Sequence, residues 1–162
     1  MLWPTSSDSS FIIAPARSAT ELISTAALFR AYARALEMDL SHQGFDSELA
    51  ALPGVYGPPG GEILLAKRAD HVLGCIALKP LAPRVAEIRR LFVREQMRGI
   101  GVGKALVMAI VDTARGLDYA EIRLDVLPRM QGAIALYQMC GFTPIASSDA
   151  GLLSFNKKLR PA

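Results

Sequence analysis

The stretch of sequence that best indicates the fold lies in the middle of the chain: Glu87-Ile-Arg-Arg-Leu-Phe-Val-Arg-Glu-Gln-Met-Arg-Gly-Ile-Gly-Val-Gly-Lys-Ala-Leu106. Its first part is rich in β-favouring apolar residues and predicts a short strand that ends near Val93. Gly99, Gly101 and Gly103 then occupy every second position, and an apolar helical pattern follows them directly. The stretch therefore predicts a strand, a glycine-rich turn and the first turns of a helix.

Alternate glycines at a helix entrance favour an anion-binding site. Because glycine has no Cβ atom, the backbone N–H groups of residues 99–104 can approach a ligand closely. The helix N-terminus behind them carries about half a positive charge. Arg98 and Lys104 add formal positive charge to the same turn. A phosphate is the expected ligand, and the competing interpretation is a tight turn that binds nothing.

Two common phosphate-binding motifs do not fit this turn. A Walker A loop, Gly-x-x-x-x-Gly-Lys-Ser/Thr, would need glycine at Arg98 and a hydroxyl at Ala105. A dinucleotide fingerprint, Gly-x-Gly-x-x-Gly, would place its third glycine at Lys104 or Leu106. Both nucleotide-binding interpretations are therefore excluded.

The turn does match the pattern Arg/Gln-x-x-Gly-x-Gly/Ala, once from Arg98 and once, overlapping, from Gln96. This resembles the pyrophosphate loop of the GNAT acyl-CoA acyltransferase superfamily. The Arg98 register is preferred, because it places Phe92 and Val93 where the family's aromatic-Val pair ends its fourth strand.

A second stretch strengthens the resemblance. The segment 122–142 is similar to the family's second cofactor motif, and its most recognisable piece is Ala133-x-x-x-Tyr137-x-x-x-Gly141-Phe142. One departure stands out. The family often has Asn seven residues before the tyrosine, and this chain has Met130 there. A cofactor hydrogen bond from that Asn is absent here or supplied elsewhere.

The bulk composition is that of an ordinary globular protein. The chain has 162 residues, 51% hydrophobic and 20% charged, with a net charge of +3. The expected organisation is an N-terminal tail, 1–10, and one domain, 11–162. The net charge is too small, and the basic residues too scattered, for a nucleic-acid-binding surface.

The two cysteines and the absence of targeting signals indicate the environment of the chain. Cys75 and Cys140 are expected to be buried as small apolar residues and to form neither a disulfide nor a metal site. Without a signal peptide or a membrane-spanning run, a cytoplasmic location is expected.

Local signals define the element boundaries. Ser18 and Glu21 have the spacing of a capping box at a helix start. Gly116 is a candidate C-cap, and Gly141 with Phe142 predicts a Schellman-type helix end. Helices are expected near residues 18–38, from 46, at 102–115 and at 130–140, and strands near 11–14, 62–68, 72–78, 87–93, 121–126 and 152–159, with a further strand left open.

The element order is therefore β-α-α-β-β-β-α-β-α-β. This predicts an α/β (α+β) protein with a mixed, mainly antiparallel sheet flanked by helices. The order resembles the GNAT fold across about residues 11–159, with the glycine-rich turn after the fourth strand.

The resemblance implies a set of acetyl-CoA-binding residues. A backbone N–H near the end of the fourth strand polarises the thioester carbonyl in the family, which points to Phe92 and Val93. The full set is Phe92, Val93, Arg98, Gly99, Ile100, Gly101, Val102, Gly103, Lys104, Ala133 and Tyr137. No metal is implied.

Two residues are candidates for proton transfer. Tyr137 matches the family's general acid in position, and the alternative is an aromatic residue that only packs on its helix. Glu87 is the candidate base, because it lies on the fourth strand, upstream of the expected position of the thioester. The alternative to this role is a solvated strand-edge carboxylate paired with Arg89 or Arg90. The acceptor site should lie between the first helices, where His42, Gln43 and Tyr56 are candidate lining residues; an ordinary surface connection is the competing interpretation.

The leading hypothesis is an N-acyltransferase that moves an acetyl group from acetyl-CoA to a primary amine by direct attack in a ternary complex. The acceptor would be a small-molecule or protein amine, with no nucleic-acid or membrane partner, and a homodimer is compatible with the sequence. The alternative is a non-catalytic acyl-CoA-binding regulatory or structural module of the same fold.

Overall fold

The computed structural model describes residues 10–37, 44–147 and 149–160. Apart from Ser10, the N-terminal tail proposed from the sequence lies outside these ranges. The helices are α1 (Ala19–Leu36), α2 (Phe45–Ala50), α3 (Val102–Gly116) and α4 (Gln131–Met139). The strands are β1 (Ile12–Pro15), β2 (Glu62–Arg68), β3 (His71–Ala82), β4 (Val85–Val93), β5 (Glu121–Val126), β6 (Thr143–Ile145) and β7 (Leu153–Lys158).

The strands form one sheet in the order β1-β2-β3-β4-β5-β7-β6. Every neighbouring pair is antiparallel except β4 with β5, which is parallel. The predicted fold class, a mainly antiparallel sheet flanked by helices, is confirmed. The backbone pairing of β4 with β5 covers only residues 85–87 and 121–123. Since β4 continues to Val93, a gap opens between the two strands.

Helices cover both faces of the sheet. Leu28 and Phe29 of α1 pack with Ile63 and Leu65 of β2 on one face. Leu106 of α3 lies in the core of the other face, together with residues of α4. The strand β2 is consequently buried on both sides, which explains why its sequence is a continuous apolar run without alternation.

The predicted helix caps are mostly confirmed. The Ser18 hydroxyl accepts a hydrogen bond from the Glu21 N–H at 3.1 Å, and the Glu21 carboxylate accepts one from the Ser18 N–H at 2.9 Å. At the end of α4, Gly141 has φ +94° and the Phe142 N–H bonds to the Tyr137 carbonyl at 3.0 Å, which forms the Schellman arrangement. The Gly116 assignment was wrong, because α3 includes Gly116 and the cap is the following residue.

The short strand β6, which the sequence left open, pairs with β7 at the edge of the sheet. The third strand is longer than predicted and reaches Ala82, because its pairing with β4 continues past an irregularity between Pro80 and Ala82. These differences lie away from the gap between β4 and β5.

A buried carboxylate at the start of β5 makes stability depend on pH. The Glu121 side chain is 7% exposed and accepts hydrogen bonds from Arg123 at 2.8 Å, Asn156 at 2.9 Å and Lys158 at 3.2 Å. These contacts, Arg123 first, lower the pKa of Glu121 from its ordinary value of 4.5 to about 2. Because the folded pKa is depressed, this stabilisation is complete above about pH 5 and is lost as pH falls towards 2.

We therefore expect Glu121→Gln to flatten the dependence of the free energy of unfolding on pH between about 5 and 2. The shift corresponds to at most about 3 kcal/mol, and solvent around Arg123 and Lys158 reduces it. Urea unfolding at pH 7 and pH 3 measures the change. Asp112→Asn is the control, because Asp112 pairs with Arg115 on an exposed surface. Equal slopes for Glu121→Gln and the wild type would contradict the assignment.

Candidate active site

The gap between β4 and β5 opens into a cleft of about 390 Å³. Its walls come from α1, β4, β5, the start of α4 and the segment before β7. Arg129, just before α4, donates a hydrogen bond to the Leu36 carbonyl at the end of α1. This bond joins the two walls, so the cleft is bounded by elements that are distant in sequence.

The glycine-rich turn has the geometry of an anion site. Gly99 has φ +86° and Gly101 has φ +90°, conformations that other residues rarely adopt. Gly101 is the N-cap of α3, and the first bond of the helix runs from the Ala105 N–H to the Gly101 carbonyl at 3.0 Å. The N–H groups of residues 102–104 therefore have no carbonyl partner within the helix. This arrangement fits a pyrophosphate.

Gly103 has a different role from the two glycines before it. A Cβ atom there would lie 3.0 Å from the Leu136 Cδ2 atom of α4 and 3.8 Å from the Val93 Cγ2 atom. Gly103 therefore allows α3 and α4 to approach closely behind the end of β4. A side chain at this position disturbs packing as well as any ligand.

The end of β4 presents one of the two predicted amides to the gap. The Arg94 N–H bonds to the Leu73 carbonyl of β3 at 2.9 Å, and Phe92 pairs with Cys75. Because hydrogen-bonding directions alternate along a strand, the Phe92 N–H faces β3 and the Val93 N–H faces the gap. The Val93 carbonyl, on the same side, accepts a hydrogen bond from the Arg98 Nε atom at 3.1 Å.

Tyr137 lies in the wall of the cleft formed by α4. It is only 5% exposed, and its ring packs edge-on against Phe142 with 5.7 Å between centroids. Within the described ranges its hydroxyl forms no hydrogen bond with the protein. Burial raises the pKa of this hydroxyl. Ala133, one turn earlier on the same helix, also lines the cleft, together with Met130.

Glu87 lies in the same cleft as Tyr137, at the point where β4 and β5 separate. Its side chain is 13% exposed, and its Oε1 atom lies 3.4 Å from the Arg89 Nη1 atom and 4.0 Å from the Lys79 Nζ atom. The carboxylate therefore lies near Arg89, as the second interpretation expected, but it belongs to an interior strand of the sheet and lines the cleft, so it is not a strand-edge carboxylate.

The predicted acceptor residues are less well placed. His42 and Gln43 lie outside the described residues. Tyr56 is 1% exposed, and its hydroxyl donates a hydrogen bond to the Glu48 Oε1 atom at 2.9 Å. Burial raises the pKa of this hydroxyl, which remains a donor. Tyr56 thus lies in the core behind the cleft and does not line it.

Several residues that line the cleft were not indicated by the sequence. Asp125 lines the cleft and accepts a hydrogen bond from the Ser154 hydroxyl at 2.5 Å. The alternation along β5 indicates its orientation, since Leu124 and Val126 are buried on the opposite face. Tyr32 of α1 and Arg90 of β4 also line the cleft, and no local pattern identifies them.

Comparison with known proteins assigns the family. The family model of the acetyltransferase (GNAT) family matches residues 19–142, and the chain belongs to this family. An uncharacterized N-acetyltransferase of Schizosaccharomyces pombe is 39% identical over 118 residues, which are 71% of this chain and 72% of that protein. The resemblance stated from the sequence is confirmed, and it assigns the chain to acyltransferases that use a CoA-type cosubstrate.

Solved structures share the fold at low sequence identity. A GNAT-family acetyltransferase from Staphylococcus aureus has a TM-score of 0.80 and 18% identity, with 93% of this chain and 100% of that chain covered. The PaiA N-acetyltransferase from Thermoplasma acidophilum, solved with coenzyme A, has a TM-score of 0.76 and 19% identity, with coverage of 93% and 99%.

Two further findings concern the described part of the chain. None of its helices combines the length and apolar character needed to cross a bilayer. No group of three or more His, Cys, Asp or Glu side chains within it is arranged to hold a metal ion.

Proposed function

We propose that this chain transfers an acetyl group from acetyl-CoA to a primary amine by direct attack in a ternary complex. The observation that carries the proposal is the shared cleft of Glu87 and Tyr137, a carboxylate and a phenol that forms no hydrogen bond with the described residues. The cleft begins where β4 and β5 separate, at the strand that leads into the glycine-rich turn.

The cosubstrate supplies an activated acyl group as a thioester, and the chain supplies its binding site. The N–H groups of residues 102–104, with Arg98 and Lys104, would hold the pyrophosphate. A backbone N–H on the gap side of β4 would donate to the thioester carbonyl as negative charge develops there. One such donor typically contributes about 3 kcal/mol to transition-state stability.

The proton balance assigns a role to each side chain. The acceptor arrives as an ammonium ion, and Glu87 removes one proton, directly or through water. The amine nitrogen then forms the C–N bond, and the C–S bond breaks. Tyr137 donates its proton to the departing sulfur and recovers a proton released by the nitrogen. The ammonium thus loses two protons, one to the thiol and one to solvent.

The acceptor is a small-molecule or protein amine. The described lining of the cleft contains three carboxylates, Glu87, Asp125 and Asp149, and two guanidinium groups, Arg89 and Arg90. Because Arg90 is paired with Glu48, the remaining excess of carboxylates favours a positively charged group before deprotonation. Cleft carboxylates attract cations over a range set by ionic strength.

The test is CoA release over a broad panel of small amines and amine-bearing peptides, with mass spectrometry of the products. We expect acetylation of at least one primary amine. CoA binding without turnover on the whole panel would favour the non-catalytic acyl-CoA-binding module.

We expect Glu87→Gln to lower kcat at neutral pH by about 100-fold or more, because a general base typically contributes that much. The affinity for acetyl-CoA should not change, since the Glu87 side chain is not among the proposed contacts to the cosubstrate. The acid limb of the pH–rate profile should also disappear. Glu121→Gln, a buried carboxylate outside the cleft, is the matched control and should retain the wild-type rate. An unchanged profile in Glu87→Gln would exclude Glu87 as the base.

A further inference from the structure

The strand β4 contains a bulge at Arg90 and Leu91. Cys75 of β3 pairs with Phe92, and Ala77 pairs with Arg89. Two residues of β4 therefore lie opposite the single residue between Cys75 and Ala77. Arg90 has φ +62°, a left-handed conformation that is uncommon for a residue other than glycine. Bulges of this kind are frequent next to active sites, where they redirect the strand.

The peptide bond between the two bulge residues, Arg90 and Leu91, carries the next amide donor before Val93. The Cys75 thiol donates a hydrogen bond to the Arg90 carbonyl at 3.3 Å. In a trans peptide the C=O of Arg90 and the N–H of Leu91 point in opposite directions. The Leu91 N–H is therefore turned away from Cys75, and Leu91 itself lines the cleft. Alternation back from Val93, whose N–H faces the gap, also places the Leu91 N–H on the gap side. The left-handed residue Arg90 therefore directly precedes a second amide donor on that side.

The Arg90 side chain is held in a closed cluster. It is 4% exposed and bonds to Glu48 of α2 through both ends of the guanidinium, at 3.0 Å and 3.1 Å. The guanidinium also lies over the rings of Phe45, at 5.2 Å, and Tyr32, at 5.8 Å. Glu48 accepts a third hydrogen bond from the Tyr56 hydroxyl.

This cluster compensates for an unfavourable backbone. A left-handed conformation disfavours residues with a Cβ atom, and it persists only where surrounding contacts determine it. Removal of one member of a buried ion pair leaves an uncompensated charge. The Arg90–Glu48 pair therefore ties the bulge in β4 to α2.

We propose that Arg90 and Glu48 act as a positioning clamp, which holds the left-handed bulge so that the Leu91 N–H is aimed at the thioester carbonyl. Neither side chain reacts, and their effect passes through the backbone of β4. The role in catalysis rests on the proposed acetyl transfer, whereas the effect on the Leu91 amide can be measured without turnover.

The kinetic test compares two double variants that both remove the charges. Arg90→Met with Glu48→Gln keeps the volume but leaves a Cβ atom on the left-handed residue. We expect kcat to fall about 10- to 100-fold with an unchanged Kd for CoA. Arg90→Gly with Glu48→Gln removes the backbone penalty, and we expect it to recover part of the lost kcat.

The control is Arg17→Met with Glu62→Gln, which removes a pair bonded at 2.7 Å and 2.8 Å outside the cleft. It should retain kcat. Wild-type kcat in the methionine variant, or equal losses in the methionine and glycine variants, would overturn the clamp. If the methionine variant does not fold, Glu48→Asp provides a second test, because it keeps both charges and shortens the acidic side chain. We expect it to lower kcat at an unchanged Kd for CoA. A wild-type kcat in Glu48→Asp would also overturn the clamp.

A readout without turnover separates this proposal from the proposed function. In ¹⁵N-labelled protein, the Leu91 amide resonance should differ between the CoA and acetyl-CoA complexes, and the difference should vanish in the methionine variant. If the Leu91 amide resonance of the wild-type protein is the same in the CoA complex and in the acetyl-CoA complex, the clamp is overturned. If acetyl-CoA shifts Leu91 but no amine is acetylated, the acetyl-transfer proposal fails and the clamp stands.

Discussion

We expect Tyr137→Phe to lower kcat by about 100- to 10,000-fold, the usual contribution of a general acid, while CoA still binds. The ring contact with Phe142 is kept in this variant, and the hydroxyl forms no hydrogen bond within the described part of the protein. The melting temperature should therefore hardly change. Single-turnover kinetics and thermal unfolding on one preparation measure both quantities. A mutant with the full rate would refute the acid assignment.

Tyr119→Phe is the matched control for the loss of a phenolic hydroxyl. The Tyr119 hydroxyl donates a hydrogen bond to the Gly60 carbonyl at 2.5 Å and does not line the cleft. We expect this variant to lose about 1 kcal/mol of stability and to keep its rate. The opposite behaviour of the two tyrosines would separate a catalytic hydroxyl from a structural one.

The pKa of Tyr137 also shapes the pH dependence of the reaction. Burial raises this pKa above its usual value, so the hydroxyl keeps its proton below about pH 10. Tyr137 should therefore cause no loss of rate between neutral pH and pH 9. The proton is always available, but its transfer to sulfur is uphill and has to be coupled to breaking of the C–S bond.

The features that the sequence predicted well are local. Ser18 and Glu21 are three residues apart, and Gly141 and Phe142 are adjacent, so each cap is determined by its own few residues. The same holds for the glycine-rich turn, where Gly99 and Gly101 adopt the positive φ values that explain their presence. Spacing alone indicates such features because the physical cause lies within one turn of the chain.

The features that the sequence did not predict depend on contacts between distant segments. Arg90 and Glu48 are 42 residues apart, and no local propensity favours a left-handed arginine within a strand. The one-residue bulge also shifts the alternation of N–H directions before Arg90 relative to that after Leu91, so the direction of each N–H cannot be counted from the sequence. The prediction that Tyr56 lines the acceptor site fails for a similar reason. Its burial depends on packing against Phe29, a contact between distant segments that the local sequence does not show.

The second large effect is expected at the glycine-rich turn, from Gly101→Val. A residue with a Cβ atom loses about 1–2 kcal/mol in the left-handed region, so the turn either becomes strained or rearranges. Since Gly101 is the N-cap of α3, either outcome displaces the free N–H groups, and CoA affinity should fall about tenfold or more. Pantetheine, which lacks the pyrophosphate, should bind variant and wild type equally. Gly101 is a better probe than Gly103, whose substitution also disturbs the contact with Leu136.

A matched control shows whether strain alone explains the effect of Gly101→Val. Gly44, the N-cap of α2, also has a positive φ, +76°, and a Cβ atom there would likewise meet no described atom within 4 Å. Gly44→Val should therefore cost similar stability and leave CoA affinity unchanged, because Gly44 lies outside the turn and does not line the cleft. Isothermal titration of the wild type and of both variants with CoA and with pantetheine measures the six affinities. If folded Gly101→Val bound CoA as tightly as the wild type does, the glycine-rich turn would not be the pyrophosphate site, and the pyrophosphate would have to bind elsewhere. An equal loss for CoA and pantetheine would instead indicate a general distortion of the cleft.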